Sequence, residues 1–251
     1  LVHGNATKRK SSDASYEAFV RALEATGLTD TTICRVHWPS DFFFGSGYAW
    51  MVSRATGIAK VLAPLLERAV ANSERRVSVA LVGHSLGCRL ILEALDALKP
   101  QLPPGRVKLF LMVAAVPVGL VDAEDHFRPT IRSCARSNAY WSDADSILKN
   151  VFRIGQWAGR TMRRVGSAGE ARRFDDPNGY AAVGLTGRPT PIWQHPIKVP
   201  GADHGDYWTN PARFAEDVRQ QLSARAKQDR PIQSRAPTSR AFRSRRARLA
   251  A

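Results

Sequence analysis

Two kinds of hydrophobic pattern alternate along this chain. Apolar residues at three- and four-residue spacing predict helices that include 16–23, 58–69, 86–98 and 214–222. Short apolar or β-branched runs predict strands at 1–2, 31–36, 77–82, 107–116, near 140 and at 197–199. The run 107–116 is almost wholly apolar, as in a central strand that is covered on both faces. Strands that alternate with helices predict an α/β fold, with a mainly parallel sheet and helices on both of its faces.

The hydrophobic pattern ends at Leu222. Beyond it Arg, Ser, Pro and Ala dominate, and large apolar residues are almost absent. Such a segment cannot bury enough apolar surface to offset the entropy that it would lose on ordering. We therefore expect one domain over 1–223 and a disordered basic tail over 224–251.

Composition excludes several classes of protein. Of the 251 residues, 44% are hydrophobic and 24% are charged, which excludes a wholly disordered chain. No apolar run approaches the roughly 18–20 residues that a membrane-spanning helix needs. The three cysteines, Cys34, Cys88 and Cys134, are odd in number and lack metal-ligand spacing, so we expect neither a disulfide framework nor a metal site. We also expect no cofactor, and the start at Leu1 is compatible with a removed leader.

Positive charge is concentrated in two segments. The net charge is +15, of which +8 lies in 224–251 and +5 in 153–173, so the rest of the chain is nearly neutral. The segment 153–165 combines an apolar face with arginines. This pattern predicts a basic helix that lies on an anionic membrane surface, a lid within 149–190, or an ordinary surface helix. From the tail we expect weak attraction to anionic membrane surfaces or nucleic acid, without sequence specificity. The protein is expected in the cytoplasm, at most peripheral to a membrane.

The sharpest chemical signal is the pentapeptide Gly83-His84-Ser85-Leu86-Gly87. A Gly-x-Ser-x-Gly pattern alone is weak. This one lies between an apolar strand and an amphipathic helix, which is the context of a nucleophile elbow rather than of an ordinary strand–helix turn. Such a turn would hold the Ser85 hydroxyl above the sheet at a helix N-terminus, where the helix dipole favours negative charge. The pattern therefore predicts that Ser85 is a nucleophile.

A serine nucleophile requires a base, and three histidines follow Ser85. His204 lies between a short predicted strand and the last helix, in a loop that can place its imidazole over the turn. His195 precedes the same strand and is expected at the opposite end of the sheet, and His126 lies in an acidic loop. We predict that His204 is the general base.

The acid that orients the base is less narrowly defined. In this kind of fold the acid lies between the nucleophile and the histidine in chain order. The loop after the strand near 140 is the usual position, and Asp145 precedes an apolar pair that would anchor it. Asp143 in the same loop and Asp122 after the preceding strand are alternatives. Asp203 and Asp206 are too close in sequence to the histidine to reach its Nδ1 easily.

A tetrahedral intermediate also needs backbone N–H donors for its oxyanion. One is expected from the amide of Leu86, directly after the nucleophile. The His3-Gly4 pair at the end of the first strand predicts a turn with a close backbone approach at the glycine, rather than a plain strand-end turn. This turn would supply the second donor, the amide of Asn5.

Several segments together resemble one superfamily of enzymes. They are His3-Gly4, Trp38-Pro39-Ser40, His84-Ser85-Leu86-Gly87, the Arg-Leu-rich 89–95, the set Asn138, Tyr140, Asp145 and Leu148, and His204 before Tyr207. The chain from Leu1 to about Leu222 resembles the α/β-hydrolases, and within them the uncharacterised bacterial esterase- and lipase-like families. The resemblance implies the α/β-hydrolase fold and a serine hydrolase that cleaves a small-molecule carboxylic ester through an acyl-enzyme. Thioesterases and acyltransferases use the same triad, and a catalytically silent binding module of this fold is the alternative from another class.

Overall fold

Four parallel strands form the sheet at the centre of the molecule. The computed structural model of the chain describes residues 1–4, 9–28, 31–40, 47–71, 79–98, 105–155, 181–188 and 192–228. The strand order is β1 (Val79–His84), β2 (Val107–Met112), β3 (Arg136–Trp141) and β4 (His195–Lys198). Every pairing between neighbours is parallel, which confirms the predicted α/β class. The carboxyl ends of all four strands therefore lie at one end of the sheet, the end at which ligands bind in such folds.

The N-terminal residues extend this sheet beyond β1. The amide of Val2 donates to the carbonyl of Val82 over 2.9 Å, and the amide of His84 donates to the carbonyl of Val2 over 3.1 Å. On its other side Val2 forms a parallel bridge with Val36. Within the described residues 31–40, the strand predicted over 31–36 is reduced to this one bridge.

Helices pack around the sheet in two groups. In chain order they are α1 (Arg9–Ala25), α2 (Gly47–Ala71), α3 (Leu86–Leu98), α4 (Val118–Asp122), α5 (Phe127–Ser133), α6 (Val183–Thr186), α7 (Asp206–Thr209) and α8 (Ala212–Gln228), with a π-helical turn at Leu148–Phe152. One group contains α2, α3 and α5, and the other contains α1, α7 and α8. Strand β2 is buried along its whole length, as expected for a central strand with both faces covered. No helix in the described part of the chain is long and apolar enough to cross a membrane.

The predicted helices are confirmed in position, but the predicted buried face of α2 is partly wrong. Helix α3 spans the expected residues 86–98. The expected stripe of α2 included Leu65 and Ala69, yet Leu65 is 55% exposed and Ala69 is also exposed. The buried face instead carries small and medium side chains: Met51, Val52, Ala55, Ala59, Leu62 and Ala63. Small residues let α2 pack closely against α3, and this contact sets the orientation of the helix.

The predicted start of the tail at residue 224 differs from the structure. The last helix, α8, continues to Gln228, so the first five residues of the predicted tail 224–251 are helical. Ala, Arg, Lys and Gln favour helix, and they extend α8 beyond its last apolar contact. The remaining tail residues, 229–251, lie outside the described residues.

The predicted lid or excursion 149–190 is anchored to the body of the domain at both ends. Phe152, in the π-helical turn, is buried. At the other end the amide of Val183 donates to Val116 over 2.9 Å, and the amide of Gly184 donates to Ala114 over 3.0 Å. Of the predicted basic helix 153–165, only the helical residues 153–155 are described, and 156–180 lie outside the described residues.

Candidate active site

Ser85 occupies the single residue between the end of β1 and the start of α3. Its φ angle is +53°, in the left-handed region that non-glycine residues rarely adopt. Its amide donates to the carbonyl of Met112 over 3.0 Å, and its carbonyl accepts from the amide of Ala115 over 3.1 Å. The strained turn is therefore held from both sides by the end of β2 and the residues that follow it.

Both glycines of the pentapeptide occupy positions that have no room for a side chain. A Cβ on Gly87 would lie 2.4 Å from the carbonyl oxygen of His3. A Cβ on Gly83 would lie 2.8 Å from Cδ1 of Ile91 and 3.1 Å from the Cα of Cys88. These close backbone approaches explain why the sharp turn carries glycine on each side of Ser85.

His204 contacts Ser85 directly. It lies in the loop between β4 and α7, as expected, and its Nε2 is 2.9 Å from the hydroxyl oxygen of Ser85. The two residues are 119 positions apart in the chain. With Nε2 unprotonated, the Ser85 hydroxyl donates to it, which is the arrangement that a general base requires.

Asp145 completes a hydrogen-bonded series with His204. The Nδ1–H of His204 donates to Oδ2 of Asp145 over 2.8 Å. The other carboxylate oxygen accepts from the amide of Leu148 over 2.8 Å, at the start of the π-helical turn. The Asp145 side chain is 0% exposed, so water does not compete for these bonds. The structure thus brings together the three predicted residues Ser85, His204 and Asp145.

The alternative acids and histidines lie elsewhere. The Asp143 carboxylate is 60% exposed and contacts Nζ of Lys198 at 2.7 Å; this hydrogen bond lowers the pKa of Asp143. Asp122 lies 3.9 Å from Arg128 on the surface. His195 begins β4, at the end of the sheet opposite to Ser85, and His126 caps the start of α5.

One of the two predicted oxyanion donors lies in the described part of the chain. Leu86 is the first residue of α3, where backbone N–H groups have no partner within the helix. Asn5 lies outside the described residues. The preceding residue, Gly4, approaches the nucleophile closely, since a Cβ there would lie 2.8 Å from the Cβ of Ser85. The backbone at Gly4 therefore lies directly beside the nucleophile.

Two contributors to the site were not identified from the sequence. Asp203 was considered only as an acid, yet its Oδ1 accepts from the amide and from the hydroxyl of Ser146, both at 3.0 Å. The hydrogen bond from the Ser146 amide is the main cause of the lowered pKa of Asp203. The contact joins the loop of Asp145 to the loop of His204. Asp203 is next to His204 in the sequence, and Ser146 is next to Asp145. This adjacency is the only sequence signal that could have indicated the contact between Asp203 and Ser146.

The second missed residue is His84, at the variable position of the pentapeptide. Its Nε2 lies 2.8 Å from the carbonyl oxygen of His204. Burial, followed by the proximity of His204, lowers the pKa of His84 to about 3. His84 is therefore neutral at ordinary pH.

Among the described residues, no group of three or more His, Cys, Asp or Glu side chains is placed to hold a metal ion. The nearby Cys88 is fully buried, and burial raises the pKa of its thiol, so it is not a competing nucleophile. No protein-family model, curated protein or solved structure matches this chain.

Proposed function

We propose that this chain is a serine hydrolase of the α/β-hydrolase fold that cleaves a carboxylic ester through an acyl-enzyme. Ser85 is the nucleophile, His204 the general base and Asp145 the orienting acid. The observation that carries the proposal is the continuous hydrogen-bonded series from the Ser85 hydroxyl through the imidazole to a buried carboxylate, with Ser85 at a φ of +53°. These are the geometry and the residue roles of a serine triad.

The chain order and the sheet support the same proposal. The nucleophile follows β1, the acid follows β3 and the base follows β4, so all three emerge from carboxyl ends of parallel strands. The order serine, acid, histidine is the order used by α/β-hydrolases. Two isolated parallel bridges place Val2 between Val36 and β1, on the side of β1 where a larger hydrolase sheet would continue.

The first half of the reaction forms the acyl-enzyme. The Ser85 oxygen attacks the carbonyl carbon of the ester while its proton moves to Nε2 of His204. The resulting imidazolium is stabilised by Asp145 through Nδ1–H. The amide of Leu86, and in this proposal that of Asn5, donate to the oxyanion. The C–O bond to the alcohol then breaks, the alcohol leaves with the proton from Nε2, and the acyl group remains on Ser85.

The second half regenerates the enzyme. Water attacks the acyl carbonyl and gives a proton to Nε2 of His204. A second tetrahedral intermediate collapses, the carboxylic acid leaves, and the Ser85 oxygen recovers its proton from the imidazolium. No cofactor takes part in either half.

The proposal is tested with a fluorophosphonate probe and p-nitrophenyl esters of graded acyl length. We expect one labelled site, complete loss of labelling in Ser85→Ala, and turnover of at least the shorter esters. Absence of labelling at Ser85 contradicts the proposal and favours a binding module. Labelling without ester turnover would favour a thioesterase or an acyltransferase, which is then tested with acyl thioesters in the absence and presence of an alcohol acceptor.

A further inference from the structure

His84 lies between the base and the backbone at Gly4, and its Nε2 contacts a main-chain carbonyl. Its Nε2 is 2.8 Å from the carbonyl oxygen of His204. A carbonyl can only accept, so the proton of His84 is on Nε2 and its Nδ1 is unprotonated. On the other side, a Cβ on Gly4 would lie 3.0 Å from this Nδ1. The ring therefore touches two separate segments that the proposed reaction needs.

The ring is held in this place by aromatic neighbours. It meets the imidazole of His204 edge-on, with ring centroids 5.0 Å apart, and lies 5.5 Å from the ring of Trp208. Its side chain is 6% exposed. With the ring packed in this way, the Nε2–H bond keeps a fixed direction towards the His204 carbonyl.

We propose that His84 is a positioning residue, which holds the main chain of His204 so that the imidazole stays between Ser85 and Asp145. This inference rests on the proposed hydrolase function. In this proposal His84 does not act as the base for the Ser85 hydroxyl, and none of its atoms forms or breaks a bond with the substrate. Its Nε2–H fixes the peptide group of the base, whose side chain must keep two hydrogen bonds of 2.8 and 2.9 Å during turnover.

Neutrality is part of this role. His204 becomes positively charged in each half of the reaction, and a second positive ring 5.0 Å away would oppose that charge. Burial keeps His84 uncharged, so it can donate a hydrogen bond to the base without electrostatic repulsion. A lysine or arginine at the same position would donate as well but would carry the charge.

The test compares His84→Phe, which keeps a ring but removes the donor, with His84→Gln, whose amide can restore a donor near the position of Nε2. His195→Gln is the matched control, since His195 lies at the opposite end of the sheet. Active sites are first counted by fluorophosphonate labelling. We expect kcat per labelled site to fall about 10- to 100-fold in His84→Phe, because displacement of a catalytic group by about 1 Å has an effect of this size. KM should stay within about threefold, and His84→Gln should recover most of the loss.

Three results would overturn the inference. The first is an unchanged kcat per labelled site in His84→Phe. The second is a loss of kcat in His84→Gln as large as that in His84→Phe, and the third is a loss of the same size in the His195→Gln control. A merely structural role would lower the number of labelled sites and the melting temperature but not the kcat of each site.

A second measurement does not depend on activity. In ¹⁵N spectra of the wild-type protein, the imidazole of His84 should show the neutral Nε2–H tautomer from pH 8 to pH 5. A Nδ1–H tautomer, or protonation within that range, rejects the inference even if His84→Phe fails to fold. Failure of the proposed function is distinguishable, because it shows as an unlabelled wild-type protein whatever the tautomer of His84.

Discussion

The described part of the molecule contains two Ser–His–Asp groupings with different surroundings. The Ser85 triad consists of Ser85, His204 and Asp145, with contacts of 2.9 and 2.8 Å. The Ser12 triad consists of Ser12, His37 and Asp13. In it, Nδ1 of His37 lies 3.2 Å from the Ser12 hydroxyl, and Nε2 lies 3.2 Å from Oδ1 of Asp13. Residue types and contact distances alone hardly separate the two.

The two triads differ in the backbone around the serine. Ser85 is on a strained turn at the N-terminus of α3, next to helix amides that have no partner within the helix. Ser12 is the fourth residue of α1 and lies in the first turn of that helix, without the left-handed backbone that Ser85 adopts. Ser12 is 0% exposed and Ser85 is 6% exposed, so a substrate carbonyl reaches the Ser12 hydroxyl less readily. The Ser12 triad therefore lacks the strained turn at its serine.

The carboxylates differ as well. Asp145 is 0% exposed and accepts from the amide of Leu148, whereas Asp13 is 41% exposed. A carboxylate in water is screened and mobile, and it orients an imidazole only weakly. The comparison separates the two triads by the strained turn at the serine and by the burial of the carboxylate, since three side chains in contact are common to both.

The largest effect should come from the two serines. Ser85→Ala is expected to lower kcat for a p-nitrophenyl ester by about 10⁴- to 10⁶-fold, because it removes the nucleophile. Ser12→Ala should leave kcat within about twofold, since Ser12 touches no reacting atom. Steady-state kinetics on both variants measure the two values of kcat and test this difference. A comparable loss in Ser12→Ala would show that the second triad is not inert.

The aspartates should show the next largest difference. Asp145→Asn keeps the shape of the side chain but places an amide opposite His204, so kcat should fall about 10²- to 10⁴-fold. Asp13→Asn and the matched loop control Asp143→Asn should stay within about tenfold of wild type. A collapse of activity in Asp143→Asn, with Asp145→Asn nearly normal, would reverse the assignment of the acid.

A smaller effect is expected at the contact that joins the two loops of the Ser85 triad. Asp203→Ala removes the acceptor for the amide and hydroxyl of Ser146, so the loops of Asp145 and His204 lose a direct link. We expect kcat to fall by about tenfold. Asp203→Asn keeps an acceptor oxygen and should lose less. Equal activity in wild type and Asp203→Ala would mean that the loops are held by other contacts alone.

Each triad also has a buried histidine beside it, and the two should respond differently to acid. The ring of His84 lies 5.0 Å from that of His204, and the ring of His3 lies 6.1 Å from that of His37. Burial lowers the pKa of both, to about 3 for His84. The unfolded chain takes up a proton at such a histidine below about pH 6.5, and the folded protein does not until the depressed pKa is reached.

The free energy of unfolding should therefore fall as the pH is lowered from 6.5 towards 4, by up to about 1.4 kcal/mol per pH unit for each such histidine. His84→Gln should make this decline shallower, and His3→Gln should do so less. Urea denaturation at pH 7.5, 6.5, 5.5 and 4.5 measures the slopes. Identical slopes in wild type and His84→Gln would show that His84 is protonated in the folded state.

The smallest effect is expected from the tail, which lies outside both triads. Truncation after Gln228 removes seven arginines and one aspartate. Melting temperature should change by no more than a few degrees and soluble-ester kcat should be unchanged, while binding to anionic vesicles at low salt should weaken. Truncation after Ser223 also removes the last five residues of α8 and should cost more stability. A large loss of stability in the shorter truncation would show that 229–251 packs on the domain.

Local patterns were sufficient for the parallel sheet, the limits of α3 and the turn at Ser85. These features depend on residues close together in the chain, where the spacing of apolar positions and the glycines constrain the backbone directly. The burial of α2 was less predictable. Leu65 fits a helical stripe as well as Ala59 does, and only packing against α3 determines which of them is buried.

The sequence by itself determined that a serine turn, an acidic loop and a histidine loop would follow three strands of one parallel sheet. It left Asp143 and Asp145 as alternatives, because two carboxylates two residues apart in one loop have almost the same local signal. Tertiary structure separated them, since the buried side chain of Asp145 reaches His204 and Leu148 while Asp143 faces Lys198 in solvent. The contact of His84 with the His204 carbonyl spans 120 residues, and no local pattern encodes a bond over that separation.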